Sequence, residues 1–446
     1  MAGEWRRVRL GDVAEINPDS INSAWPYSHI RYIDISSVGE GILIEPPQVM
    51  SLAEAPSRAK RLVQEGDTVL STVRPGRRSM FYVKRAEPDL VVSTGFAVLR
   101  PRKGCIEPRY LYACIYDKAF TEFLVKREKG AAYPAVLPED IADAMINLPT
   151  LAEQRAIAHI LGTLDDKIEL NRRMSETLEQ MARTIFKAWF VDFEPVRAKM
   201  EGRWRRGQSL PGLPAHLYDL FPDRLNGRGF PDGWQLTTLG QHVDIERGIG
   251  YSTRELTTAD SGVPLHNLNS VREGGGYKYE GIKFYKGPFD RRHVTRPGDV
   301  IVANTEQGHD RLLIGYAAVV PSLYGGNGLV SHHIYRLQVK ESSYLTPAFI
   351  CYLLNSRTIH EAVSNYATGT TVNMLPKDAL RHPRFVLPPP HLIAYFNRIV
   401  TLCLQRQEQL VVETQAVAAV RDALLPKLVG GLVRIHHPQK ILGGHP

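Results

Sequence analysis

Apolar residues recur at alternating spacings of three and four along two long stretches of the chain. One stripe passes through Ile157, Leu161, Leu164, Ile168, Asn171, Ser175, Leu178, Ala182, Ile185 and Trp189. The other passes through Leu392, Phe396, Ile399, Cys403, Arg406, Leu410, Glu413, Val417, Val420 and Leu424. A stripe sustained over so many turns predicts two long helices that pair as a coiled coil. A helix packed on its own domain is the plainer reading of the same pattern. Asn171, Arg406 and Glu413 interrupt the stripes, and polar residues at seam positions lower stability while fixing register or orientation.

Ahead of each stripe the period changes. Short Val- and Ile-rich runs broken by Gly and Pro predict strands over 30–35, 68–73, 91–99, 300–303 and 316–320. Amphipathic stretches predict helices over 108–125 and 347–363. Each half therefore opens with a compact α/β (α+β) domain of roughly 140 residues.

The landmarks of the first half return in the second, in the same order. Trp5-x4-Leu10-Gly11 is matched by Trp234-x4-Leu239-Gly240. Glu65-Gly66-Asp67-Thr68-Val69-Leu70 is matched by Pro297-Gly298-Asp299-Val300-Ile301-Val302. The run from Val92 to Arg100 mirrors the run from Val330 to Leu337, and Gly130, Pro138 and Asp140 mirror Gly369, Pro376 and Asp378. Both halves pass through a Leu-Pro stop, Leu148-Pro149 and Leu387-Pro388, into a long stripe. A colinear series repeated once over half the chain means two copies of one domain, where far shorter periods would mean a solenoid. The expected order is a first α/β domain (1–150), a spacer helix (151–194), a linker (195–232), a second α/β domain (233–388), a distal spacer helix (389–434) and a tail (435–446). The linker is set apart by its Arg, Gly and Pro content, as in Arg203-Trp204-Arg205-Arg206-Gly207. Its basic cluster reads as solvated linker, with DNA phosphate as the other partner it suits.

Composition narrows the class. With 43% hydrophobic and 23% charged residues the chain is an ordinary globular mix. No apolar run reaches the length of a membrane span. Residues Met1 to Asp12 are polar and basic, so a secretory leader is not expected. Cys105, Cys114, Cys351 and Cys403 are scattered without a Cys-x-x-Cys pair, which argues against a zinc site or disulfide framework and fits a reducing cytosol. The net charge of +8 favours an anionic partner, nucleic acid being the commonest. Many basic proteins bind none, so charge alone does not decide the matter.

Catalytic constellations are missing. There is no Gly-Lys dipeptide for a P-loop, no G-x-G-x-x-G after a strand and no H-E-x-x-H. The Pro-Pro sites, Glu45-Pro46-Pro47-Gln48 and Leu387-Pro388-Pro389-Pro390-His391, do not fit an amino-methyltransferase motif. Gly207-Gln208-Ser209-Leu210-Pro211 ends wrongly for a nucleophile elbow. The pairs His332-His333 and His436-His437 lack helical metal-ligand spacing. Pro88-Asp89 followed by Asp165-Asp166-Lys167 has a nuclease-like look, but the triplet lies on the spacer stripe and reads as its solvated face or an intrahelical pair. No metal site and no active site are expected.

The stretch Leu151-Ala152-Glu153-Gln154-Arg155-Ala156-Ile157, continued by Ile160-Leu161-Gly162-Thr163-Leu164-Asp165-Asp166-Lys167-Ile168-Glu169-Leu170-Asn171, resembles the central spacer of the specificity subunits of type I restriction–modification enzymes. So does the run from Leu178 through Trp189-Phe190-Val191-Asp192-Phe193-Glu194-Pro195. Pro231-Asp232-Gly233-Trp234 resembles the entry to that family's second recognition domain, and Leu424-Leu425-Pro426-Lys427-Leu428 the end of its distal spacer. The tail after Arg434 resembles nothing usable. The resemblance implies a non-catalytic subunit whose two target-recognition domains each read half of a bipartite, asymmetric DNA site. It implies an antiparallel helical pair as a ruler for the gap, roughly 50–60 Å for a helix of about 35–40 residues. It also implies two modification subunits that use S-adenosylmethionine to methylate adenine, and motor-nuclease subunits that use ATP and magnesium. Those cofactors would sit on the partners, in a cytoplasmic phage-defence system. A coiled-coil scaffold or degenerate spare copy without selective reading is the alternative.

Base-edge contacts come from Arg, Asn, Gln, Ser and Thr, while Lys and Arg on phosphate supply position and affinity. In the first domain the loop with Arg74, Arg77 and Arg78 and the loop with Lys126, Arg127, Lys129 and Tyr133 are the candidates. In the second domain they are Asn304, Gln307, His309 and Arg311, then Thr370, Thr371 and Asn373, with Asn267, Asn269 and Arg272 on a further loop. The first set is Arg-rich and the second rich in amides and hydroxyls, as two different half-sites require. Trp189 and Phe190 suit either a docking face for a modification subunit or packing within this chain.

Overall fold

The computed structural model describes residues 5–130, 134–308, 310–369 and 371–443. The chain divides into two units: Met1–Leu170 with Thr414–Pro446, and Asn171–Glu413. The division falls within the two long helices, Leu151–Phe186 and Pro390–Val429, and not at the expected linker.

In the first unit a four-stranded antiparallel sheet runs in the order Ala14–Ile16, Phe96–Pro101, Thr68–Ser71, Met80–Tyr82. A second sheet runs Gln48–Ser51, His29–Ile33, Leu90–Ser93, Ala59–Leu62, with His29–Ile33 and Leu90–Ser93 parallel. The second unit repeats this plan. One sheet runs Val243–Arg247, Ile334–Val339, Val300–Ala303, Ala317–Val319. The other holds a parallel pair, Val263–His266 with Gly328–Val330, among five strands. In each unit a two-stranded ribbon, Arg6–Arg9 with Met145–Leu148 and Gln235–Thr238 with Arg384–Leu387, leads into the long helix. The duplication read from the landmarks is thus a duplication of topology.

Three expectations need refinement. The run 91–99 is not one strand: it breaks at Thr94-Gly95 and feeds two different sheets. The stretch 108–125 is two helices, Pro108–Tyr116 and Lys118–Val125. Asp117 stands extended between them and accepts the Ala119 N–H at 3.0 Å, capping the second. Likewise 347–363 divides into Pro347–Leu354 and Arg357–Ser364.

The helical segments run antiparallel in each unit. In the first, Arg421 Nη1 meets Asp165 Oδ1 at 3.0 Å while Arg434 meets Glu153. In the second, Gln407 Nε2 donates to the Ser175 carbonyl at 3.0 Å while Phe186 packs on Phe396. Ile157 and Leu161 are buried with the first unit's α/β core as well as with Leu425, Leu428 and Val429. Leu392, Phe396 and Leu410 are buried, and Leu164, Ile168, Leu178, Ile185, Ile399, Val417 and Leu424 are half-buried. Both readings of the stripe therefore hold: the seam pairs helix with helix, and its ends pack on the α/β domains.

The region 195–232 is not a loose linker. Trp204 is 1% exposed, and Leu213, Leu217 and Phe221 join it in the core of the second unit. Trp189 and Phe190 are buried there too, against Phe221, Trp234, Phe349 and Phe396. That removes the docking-face reading for these two rings, since so little of either is accessible to a partner.

Candidate nucleic-acid interface

In the first unit the central strand Thr68–Ser71 runs out into the loop 72–79, and Lys129 and residues 134–136 close against it. Val136 N–H donates to the Thr72 carbonyl at 3.0 Å and Arg74 N–H to the Pro134 carbonyl at 2.8 Å. Val73 and Lys129 both bridge to Ala135. The two basic loops picked from sequence are therefore neighbours. Arg77, Lys126, Arg127 and Lys129 are exposed and Arg74 is half-buried with left-handed backbone, φ 48. Arg127 lies over the Phe123 ring at 3.6 Å, and Lys129 stands 3.8 Å from Asp140. Tyr133 lies outside the described residues.

Arg78 is different. Its Nε is 2.8 Å from Glu40, its other nitrogens donate to Thr121 and the Tyr116 carbonyl, and its side chain is only 11% exposed. All three of its side-chain nitrogens are engaged inside the domain, so it braces the loop and is not available to a base edge.

The second unit builds the same junction. Leu375 N–H donates to the Asn304 carbonyl at 2.8 Å, and Thr305–Gln307 pairs with Val372–Met374. Gln307, Arg311 and Thr371 are exposed, while Asn373 donates to the Gly308 carbonyl and Arg311 to Asn365. His309 and Thr370 lie outside the described residues. Asn304 is 1% exposed and its amide donates to the His332 carbonyl at 3.1 Å. Asn267 is 4% exposed; it caps the turn at Asn269 N–H and donates to the Gly281 carbonyl at 2.7 Å. Both amides are spent on the backbone, and neither reaches solvent as the sequence suggested. Asn269 and Arg272 are exposed.

Within the acidic triplet Asp166 is exposed, as a solvated face requires, but its ion pairs reach the α/β domain and not its own helix. Asp166 accepts from Lys84 at 2.7 Å and Arg109 at 3.0 Å. Burial opposes the ionised form, but these two cations hold the carboxyl below its ordinary range. Asp165 meets Arg421, yet burial outweighs that cation and pushes its carboxyl up. Among the described residues no cluster of three or more His, Cys, Asp or Glu is placed to hold a metal.

A family model described as the type I restriction modification DNA specificity domain matches residues 2–180. The chain is 24% identical to the type I restriction enzyme HindI specificity subunit of Haemophilus influenzae, over 96% of this chain and 99% of that one. It is also 24% identical to the MjaIX specificity subunit of Methanocaldococcus jannaschii, over 95% and 88%. Residues 2–180 thus carry the match to that DNA specificity domain, and nearly the whole chain is similar to type I restriction enzyme specificity subunits. The crystal structure of such a subunit from M. genitalium shares the fold, with a TM-score of 0.54 at 13% identity over 96% of each chain. In this chain the motif residues of the spacer act as structural ties. Glu153 accepts from Trp5 Nε1 and Arg434 Nε, each at 3.0 Å, and the buried Gln154 donates to the Pro149 carbonyl at 2.9 Å. No helix among its described residues is long and apolar enough to cross a membrane.

Sequence reasoning passed over Arg247, Lys283, His332 and His333, which gather beside the second loop junction. The only signal was the His-His dipeptide, weighed as a metal ligand pair and set aside.

Proposed function

We propose that the chain is the DNA-reading subunit of a type I restriction–modification complex, with each α/β domain contacting one half of a bipartite, asymmetric site. The repeated loop junction supports this most strongly. One architecture, built at Thr72 with Val136 and again at Asn304 with Leu375, presents exposed Arg77, Lys126, Arg127 and Lys129 in one copy and Gln307, Arg311 and Thr371 in the other. Arg pairs with guanine and with phosphate, and Gln or Asn with adenine, so the two copies suit different half-sites.

Chemistry falls to partners in this reading. Two modification subunits carrying S-adenosylmethionine would methylate adenine, and ATP- and magnesium-dependent motor-nuclease subunits would cut unmodified DNA in the cytoplasm. The chain itself serves as the non-catalytic reader and assembly platform.

The test is methylome sequencing of a host expressing this chain with its cognate modification subunit. Adenine methylation at one bipartite motif is the expected result. No new motif, given a confirmed complex of the two proteins, overturns selective reading and leaves a coiled-coil scaffold or degenerate spare copy.

A further inference from the structure

Beside the second loop junction, the turn that joins Gly328–Val330 to Ile334–Val339 carries adjacent imidazoles. The His332 and His333 rings lie 3.8 Å apart, centroid to centroid. Where the first copy has Thr94-Gly95 at this turn, bonded through the Gly95 carbonyl to Thr72 at 2.9 Å, the second has His332-His333, bonded through the His333 carbonyl to Asn304 N–H at 3.0 Å. His333 Nδ1 also meets Thr305 Oγ1 at 2.9 Å, in the strand that carries Gln307. The imidazoles are thus fastened to the candidate interface.

Cations surround them. Arg247, exposed at the end of Val243–Arg247, donates its Nε to the His332 carbonyl at 3.0 Å. Lys283 donates to the Tyr251 hydroxyl at 3.0 Å, and the Tyr251 ring stands edge-on to His332 at 6.3 Å. His332, Arg247 and Lys283 each oppose a positive charge on His333. Gly248 permits the close approach: a Cβ there would stand 2.1 Å from the Val330 carbonyl oxygen. The polar accounting at this turn is also incomplete. His332 Nδ1 and Asn304 Oδ1 are buried without a hydrogen-bond partner, and such costs concentrate at functional sites.

A cluster of cations and imidazoles is suited to an anion. The geometry points to a phosphate clamp: Arg247, Lys283 and the His332-His333 turn hold one backbone phosphate of the second half-site, and His333 takes up a proton as it docks. This rests on the DNA-reading proposal and adds to it a pH dependence confined to one half-site. The physical reason is that burial, then His332, Arg247 and Lys283, disfavour a charge on His333 in the free chain. A phosphate among these cations reverses the electrostatic part of that balance.

The experiment uses the full chain with its modification subunits and a duplex carrying the motif found by methylome sequencing. Calorimetry near pH 6.5, in buffers of different ionisation heat, counts protons taken up on binding. The wild type takes up about one proton and loses roughly five- to tenfold in affinity between pH 6 and 8. His333→Gln takes up none, and Arg247→Ala lowers the slope of log K against log salt by about one. If both variants match the wild type while selective binding persists, the clamp is wrong. Arg247→Ala keeps the test alive should His333→Gln fold poorly, because its side chain is exposed and an unchanged salt slope alone overturns the clamp. Proton uptake on adding inorganic phosphate alone, with none on adding DNA, makes the cluster a free-anion site and also overturns it. A wild type that shows no selective binding at all fails the underlying DNA-reading proposal instead.

Discussion

Arg100 grips Asp67 through two parallel hydrogen bonds, Nε to Oδ1 at 3.0 Å and Nη2 to Oδ2 at 2.9 Å. The second copy repeats the pair more loosely: Arg336 Nη1 is 4.0 Å from Asp299 Oδ2, and its guanidinium turns to the carbonyls of Arg292 and Val294. Each carboxylate also closes the turn before the central strand, accepting the Gln64 N–H at 2.8 Å and the Arg296 N–H at 2.9 Å. The strand that leads to the interface loop is therefore anchored at its start by this pair.

Arg100→Met should destabilise the first unit by about 3–5 kcal/mol, because Asp67 is 1% exposed and would be left as a buried, unmatched charge. Replacing both partners, Arg100→Met with Asp67→Leu, should recover part of the loss. Denaturant titration of the single and double variants checks this, and a double variant worse than the sum of the singles contradicts it.

Much of this scaffold was legible in the sequence because its landmarks are local. Gly66 and Gly298 both have φ 92, a left-handed turn that glycine adopts freely, and the aspartate following each marks the same anchor. The helical stripes were legible because their period is set by the helix itself. The basic cluster of region 195–232 is exposed as expected, but the packing of that region was not legible because its Arg, Gly and Pro content hides four widely spaced apolar side chains whose burial depends on distant partners. Asn267 and Asn304 were misread for a related reason. Residue type suits an amide to a base edge or a backbone cap equally, and only the fold decides between them. His332 and His333 were set aside because Arg247 and Lys283, the cations beside them, lie far from them in the chain.

Trp204→Ala tests the corrected linker. A solvated linker would tolerate it, whereas a side chain 1% exposed, edge-on to Tyr218 and Phe221, should cost the second unit about 3–5 kcal/mol. Hydrogen exchange of the second unit should rise while the first unit's sheets stay protected. Equal protection in wild type and variant contradicts the packing.

Arg77 and Arg78 are neighbours with opposite expected roles. Arg77→Ala, with Lys126→Ala and Arg127→Ala, removes exposed cations and should lower the salt slope of DNA binding by up to about three without changing stability. Arg78→Ala should instead destabilise the first unit, by about 1–3 kcal/mol, since Glu40, Thr121 and the Tyr116 carbonyl lose their donor. Fluorescence anisotropy across a salt series, paired with thermal unfolding, separates the two. An Arg78→Ala variant that melts like the wild type contradicts the bracing role.

Acid should weaken the second unit through His266. This ring is 2% exposed, bonded to the Tyr277 hydroxyl at 2.7 Å and packed against Tyr324, and burial pushes its pKa down to about 4. The unfolded chain accepts the proton near the ordinary value of about 6.5. The folded state's pKa is the depressed one, so its stabilisation is complete above that ordinary value. It is lost as the pH falls through the window toward about 4, to a limit of about 3 kcal/mol. His266→Gln removes this titration while costing packing at every pH. Its stability deficit should therefore be largest at neutral pH and narrow as the solution is acidified to about pH 4.5. Hydrogen exchange of peptides covering Val263–His266 and Gly328–Val330 reads the difference within the second unit. A deficit that stays constant across this window would show that the imidazole is not held neutral by its burial.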